Sequence, residues 1–311
     1  MNTIRLVVFG IILLTFNACT EGSQQTDPTD TSWQAVSLLG DTLYTPESSL
    51  NETLSVRLDS LINSAENNND PATALVWKAR RLGYQGDYRS AIDLLSDGIE
   101  LYPEEARLYR HRGHRYISVR EFNLAIADLE KAAGLVEGTE DIVEPDGLPN
   151  AQNIPLSTLQ TNIWYHLGLA YFLNGNYADA ESSYQNGLDL VQNDDMKVAF
   201  LYWQYITFRK HGNDLKAGQV LGQVHTDLNI IENRSYYDLL RVFKGEFDEE
   251  SLLDASETAL DNATVGYGLG FWHDINGRQS RANEIWSRIY NSGPWAAFGY
   301  IASESELARA K

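Results

Sequence analysis

ATALVWKARRLGYQGDYRSAIDLLSDGIELYPEE, residues 72–105, decides the fold, because residues 106–139 and 161–194 can be laid over it without a gap. Counting each stretch from 1, position 8 holds Ala79, Gly113 and Gly168, and position 20 holds Ala91, Ala125 and Ala180. Position 17 holds Tyr88, Phe122 and Tyr177, and position 27 holds Gly98, Ala132 and Gly187. Such a period suits two antiparallel helices of roughly a dozen residues each, too short to persist singly in water. A small residue at position 8 facing one at position 20 lets the two backbones cross closely. The aromatic at 17 covers the open end of the pair, and position 27 meets the next unit. Gly86 and Gly175 stand at position 15, in the turn, where glycine reaches positive φ at no steric cost. The second unit has Arg120 there instead, and Gln192 replaces in the third unit the Pro103 that ends the first.

This 34-residue pattern resembles the tetratricopeptide repeat, a helix–turn–helix unit that stacks into a solenoid. The resemblance implies an all-α right-handed superhelix of about six units, three of them well matched, acting by docking rather than by chemistry. Ala125 and Ala180 are 55 residues apart, one period plus a 21-residue insertion. A fourth unit turns at residues 211–214 before Ala217. A fifth turns at 244–247, with Glu250 in the small-residue place, and a sixth carries Gly270, Gly277, Ala282 and Trp286. Repeats thus cover about 72–291. Leu50, Leu54, Leu58, Leu61, Ile62 and Ala65 recur at helical spacing, so 47–66 is expected as an N-terminal capping helix. A final helix, 295–310, is expected as the C-terminal cap, with Ser303, Glu304, Glu306 and Arg309 on its outer face. Residues 33–39 are expected to form a short helix ahead of the first cap. The insertion, 137–158, holds five acidic residues and three prolines and reads as a solvated loop, a lid over the groove or a cation site being the sharper alternative.

The start of the chain reads as an address. Arg5 precedes an eleven-residue weakly polar or apolar run, 6–16, too short for the roughly 20 residues that span a bilayer. It ends at Asn17, Ala18 and Cys19, the one cysteine of the chain, which resembles a bacterial lipoprotein processing site. Phe16 departs from the leucine commoner there. The resemblance implies a signal peptide over 1–18, lipidation of Cys19, and a polar tether with a short N-terminal segment over 19–46, leaving 47–311 to the solenoid. Several acyl chains anchor a protein stably where one does not. The expected location is therefore the bacterial cell envelope, the outer membrane favoured over the inner, with the membrane met through the lipid anchor alone.

The formal net charge of −19 disfavours nucleic acid as a partner. No nucleophile elbow, phosphate-binding glycine loop, His-Glu-x-x-His motif or reactive cysteine is present, so no enzyme activity and no cofactor are expected. His111 and His114 stand three apart but among Arg110, Arg112 and Arg115, whose charges oppose a bound cation, so no metal is expected. Gly266, Gly268 and Gly270 follow no strand and read as tight helix packing. In the resembled family, positions 2, 5, 9, 12 and 13 of each first helix line the concave groove. Those positions carry Arg80 and Tyr84, then Arg107, Arg110 and His114, then Asn162, Tyr165 and Phe172, then Tyr202, Arg209 and Lys210. A groove basic at one end and aromatic beyond suits a protein or peptide ligand that is acidic or presents a carboxylate. The Lys/Asn peptide clamp of some relatives is not carried over, since Val76 and Arg80 stand where its two residues belong. The expectation is a membrane-anchored adaptor for protein–protein interaction, the alternative a lipoprotein that captures a small ligand or glycan.

Overall fold

The computed structural model describes residues 32–46, 48–150, 152–249, 252 and 263–310. Residues 1–31, with the expected leader, Cys19 and the first part of the expected tether, and also Glu250, lie outside the described residues. Among these, thirteen helices follow a two-stranded hairpin of β1 (Trp33–Val36) and β2 (Thr42–Tyr44). The helices are α1 (Glu52–Asn67), α2 (Pro71–Tyr84), α3 (Tyr88–Leu101), α4 (Ala106–Ser118), α5 (Phe122–Val136), α6 (Leu159–Leu173) and α7 (Tyr177–Leu188). Then come α8 (Asp194–Lys210), α9 (Asp214–Leu221), α10 (Arg234–Lys244), α11 (Ala263–Ile275), α12 (Gln279–Ser292) and α13 (Phe298–Arg309). Each helix packs on the one before it, and first helices also touch across units, α2 on α4 and α4 on α6. That nearest-neighbour order is a helical-repeat solenoid.

The small residues do what the period requires. Ala91, Ala125 and Ala180 are fully buried at the crossings. A Cβ added at Gly113 would sit 2.7 Å from Leu129, and one at Gly168 would sit 2.5 Å from Tyr184. The turn glycines Gly86 and Gly175 have φ of +78° and +84°. Arg120 adopts the same left-handed backbone at +66° despite its side chain. Helices begin where side chains cap them: Asp70 accepts from the Thr73 N–H, Asn193 from Met196, and Thr158 forms a capping box with Thr161. The long link from α9 to α10 is held by buried Asp195, whose carboxylate accepts the N–H groups of Ile231, Glu232 and Asn233. The glycines of α11 serve packing: a Cβ at Gly268 would meet Leu239 at 2.6 Å.

Two expectations are corrected. Residues 33–39 form a strand and a turn, not a helix. Ser37 Oγ accepts from the N–H groups of Leu39 and Asp41, Gly40 takes φ of +101°, and Ala35 and Leu43 bury against Tyr88, Ile92 and Val119. A tight turn and one apolar face outweigh the local helical reading. Three of the four polar residues of α13 expected on an outer face are buried instead: Ser303 and Glu304 are 0% exposed and Glu306 is 6%, while Arg309 is exposed. The helix packs on α11, α12 and α6, and Arg120 and Lys210 from earlier units meet its carboxylates. The hairpin reaches the same helix: Leu38 donates to Glu304, and Ser37 Oγ lies 2.9 Å from the hydroxyl of Tyr290. Both ends of the described chain therefore meet beside the first units.

Candidate functional site

The first helices α2, α4 and α6 stand side by side, and the positions expected to line a groove fall on their shared face. Arg80, Tyr84, Arg110 and His114 border one cavity of about 230 Å³ together with His111, Arg115 and His166. Arg107 and Arg80 border a smaller space of about 80 Å³ walled by Trp77, Val143 and Pro145. Between these spaces lies the insertion, which runs from the end of α5 to the start of α6. It is not a free solvated loop. Val143 pairs with Thr158 in an antiparallel bridge, and the Glu144 N–H donates to the Ser157 carbonyl.

Residues 142–146 therefore cross α2 and α4 as an extended strap. Glu144 points inward, with Arg110 Nε 3.2 Å and His111 Nε2 2.8 Å from its carboxylate, while Asn162 Nδ2 donates to it at 2.8 Å. Arg80 donates to the Pro145 carbonyl at 2.7 Å, and Arg57 to that of Asp146 at 3.3 Å. Arg110 Nη1 stands 3.0 Å from Nδ1 of His111. A guanidinium only donates, so Nδ1 is the acceptor and the imidazole proton sits on Nε2, facing Glu144. Burial first, and then the Arg110 charge, push His111 down to about 3, so it is neutral at pH 7. Burial opposes ionisation of Glu144, but Arg110 and His111 outweigh it and hold the carboxyl well below the usual range. The rings of His114 and His166 touch at a tilt of 43°, with centroids 4.5 Å apart, and burial pushes both well below 6.5.

The remaining expected positions separate. Arg107 is held by Glu105 and Thr73. Tyr165 and Tyr202 are in the core: the Tyr165 hydroxyl accepts from Trp203 Nε1 and lies 2.9 Å from that of Tyr236. Phe172 is fully buried. Arg209 pairs with Asp214 at 2.9 Å, and Lys210 with Glu306 at 2.7 Å. The basic end of the groove is thus a surface, and its aromatic continuation is interior. Phe298 of α13 packs against His114, His166 and Tyr165 and fills the space between them. Arg110, only 7% exposed, is not free for an outside partner.

Residue patterns did not point to Glu144, Arg115, Arg120 or Glu304 as partners in this region. Arg120 alone carried a signal, as an arginine in a glycine position. Its Nη2 lies 2.5 Å from Glu304 and donates to the Trp295 carbonyl at 2.7 Å. Among the described residues no group of three or more His, Cys, Asp or Glu is arranged to hold a metal ion. No described helix is long and apolar enough to cross a membrane.

The family model of the tetratricopeptide repeat matches residues 161–194. No curated protein matches. Among solved structures, a chain of "Structure of Naa15/Naa10 bound to HypK-THB" is similar over 83% of this chain at 16% identity, with a TM-score of 0.33. The alignment takes in 41% of that longer chain. The matched unit is α6 with α7, and the same crossings of small residues recur in the pairs before it. Residues 161–194 are thus a tetratricopeptide repeat, set in a solenoid of similar helix pairs.

Proposed function

We propose that this protein is a non-enzymatic docking scaffold, held at a bacterial envelope membrane by lipid on Cys19, whose first units receive an acidic extended segment of a partner protein. One observation carries the docking part: the groove already holds such a segment in cis. Residues 142–146 lie across α2 and α4 in extended form, with a carboxylate on Arg110 and His111 and a backbone carbonyl on Arg80. Arg80 and Arg107, less buried than Arg110, and the exposed Ile142 and Val143 form the outer rim of that arrangement. A partner segment of like chemistry is recognised there by the same donors, either beside the strap or in its place. The lipid anchor rests on the position of Cys19 behind its apolar run.

The test is affinity capture from envelope extract with the full chain. Arg80→Glu with Arg107→Glu abolishes recovery of stoichiometric partners, while Lys131→Glu, at a partly exposed lysine paired with Glu104, leaves it intact. Binding weakens with salt, because exposed charges are screened within about 10 Å at 0.1 M. Equal recovery by both variants removes the groove as the docking surface. In cell fractionation, Cys19→Ser leaves the membrane fraction; retention of that variant there removes the anchor.

A further inference from the structure

We infer that Arg115 is the receptor for a small organic carboxylate, bound in the cleft that α2 and α4 form with the two ends of the described chain. Its arginine neighbours are accounted for: Arg81 meets Asp59, Arg107 meets Glu105, Arg110 meets Glu144 and Arg112 meets Asp128, while Arg80 donates to the Pro145 carbonyl and lies over Trp77. Arg115 meets no carboxylate among the described residues. Its polar contacts are the ring nitrogens of neighbouring His114, at 2.8 and 2.9 Å, and its guanidinium faces the Tyr88 ring at 5.4 Å. His114 is neutral at pH 7, and a histidine supplies no negative charge in either protonation state. A half-buried guanidinium with no carboxylate beside it is a poorly compensated charge, and burial pushes Arg115 down, to about 10.

Space stands open on both sides of this group. The 230 Å³ cavity and a second one of about 320 Å³ share Gly83, Tyr84, His114 and Arg115 as walls. Gly83 makes the placement possible, since a Cβ there would come within 2.6 Å of Arg115 Nη1. The second cavity is closed by Pro46 and Trp295, from segments at the two ends of the described chain, which sets a small-molecule size for the occupant. Glu144, the inward carboxylate of the strap, is already engaged by Arg110, His111 and Asn162.

The chemistry of the walls narrows the class. One planar guanidinium matches one carboxylate in a two-point hydrogen bond. Tyr84, Tyr88 and Trp295 offer ring surface to an apolar body rather than the many donors that a phosphate wants. A carboxylate on a small aromatic or aliphatic frame satisfies both. The two sites share Arg80 as a wall of the 230 Å³ cavity, but the 320 Å³ cavity holds neither Arg80 nor Arg107, and Arg115→Gln leaves both rim arginines in place, so either reading can fail without the other.

The test uses sodium benzoate as probe, with benzamide as its neutral isostere and sodium chloride at equal ionic strength as control. Benzoate raises the melting temperature of the full chain saturably, and isothermal titration gives one site. Benzamide and chloride do neither. Arg115→Gln weakens benzoate at least about tenfold, as loss of a charge-assisted hydrogen bond requires, and Arg115→Lys weakens it less. The inference is overturned if benzamide or chloride matches benzoate in the wild type, or if a folded Arg115→Gln binds benzoate unchanged. Should Arg115→Gln fail to fold, the wild-type comparison of benzoate with benzamide decides alone.

Discussion

Arg120 holds a backbone conformation that glycine takes at the corresponding turns Gly86, Gly175, Gly212 and Gly277. For a non-glycine residue this costs on the order of 1–3 kcal/mol. The cost is offset by what the side chain reaches, the fully buried carboxylate of Glu304 and the carbonyl of Trp295. Glu304→Ala leaves a buried guanidinium unpaired and is expected to lower unfolding free energy by about 3–5 kcal/mol in urea titration. Arg120→Gly leaves the Glu304 carboxylate with the Leu38 N–H but relieves the backbone, and is expected to cost less by that relief. A larger loss from Arg120→Gly than from Glu304→Ala contradicts this reading. The pH dependence follows from His111 and Glu144. His111 falls from 6.5 to about 3 on folding, so the unfolded chain binds the extra proton between those values and stability falls as pH drops through that window. Glu144, also depressed, contributes stability above the ordinary carboxylate range that is lost below it, in the same direction. The urea midpoint should therefore decline steadily from pH 7 to pH 4, and less steeply in His111→Gln; equal slopes would show that His111 does not titrate as its surroundings require. Sequence marked Arg120 as an anomaly but could not supply its partner, which lies 184 residues away.

Helices and their crossings were the legible part, because the period is a local consequence of packing. Position 8 against position 20 needs two small residues wherever helices touch, and a pattern that repeats can be counted. Gly168→Leu forces a side chain into the ring of Tyr184, and Ala125→Leu enlarges a fully buried crossing. Each should cost about 1–3 kcal/mol or more, read as a lowered melting temperature. An unchanged melting temperature in either would place the crossings elsewhere. The hairpin at 33–44 was not legible, since its pairing rests on a turn held by Ser37 and on an apolar patch of α3 and α4 far along the chain. The same holds for α13, whose polar stripe looks like a solvated face until Arg120 and Lys210 arrive to meet it. Offset alone placed Arg80, Tyr84, Arg110 and His114 of α2 and α4, which border one cavity. Tyr165 and Tyr202 occupy equivalent offsets, but α10 and α13 pack over them, which no offset within a unit reveals.

At the scale of the molecule, a solenoid that would leave an open concave face instead turns its own chain onto it. The strap at 142–146 covers the basic end, and α13 with the hairpin closes the space beside it. Recognition of an acidic extended segment by the first two units is the central claim, and it can be measured without any unknown partner. A synthetic peptide of residues 140–148 is titrated against a chain in which that stretch is replaced by a glycine–serine linker of equal length, its helicity checked by circular dichroism. Saturable binding that weakens as salt rises, and that is lost when Glu144 of the peptide becomes Gln, is the predicted result. A folded linker variant that binds neither peptide, or both equally, contradicts the claim.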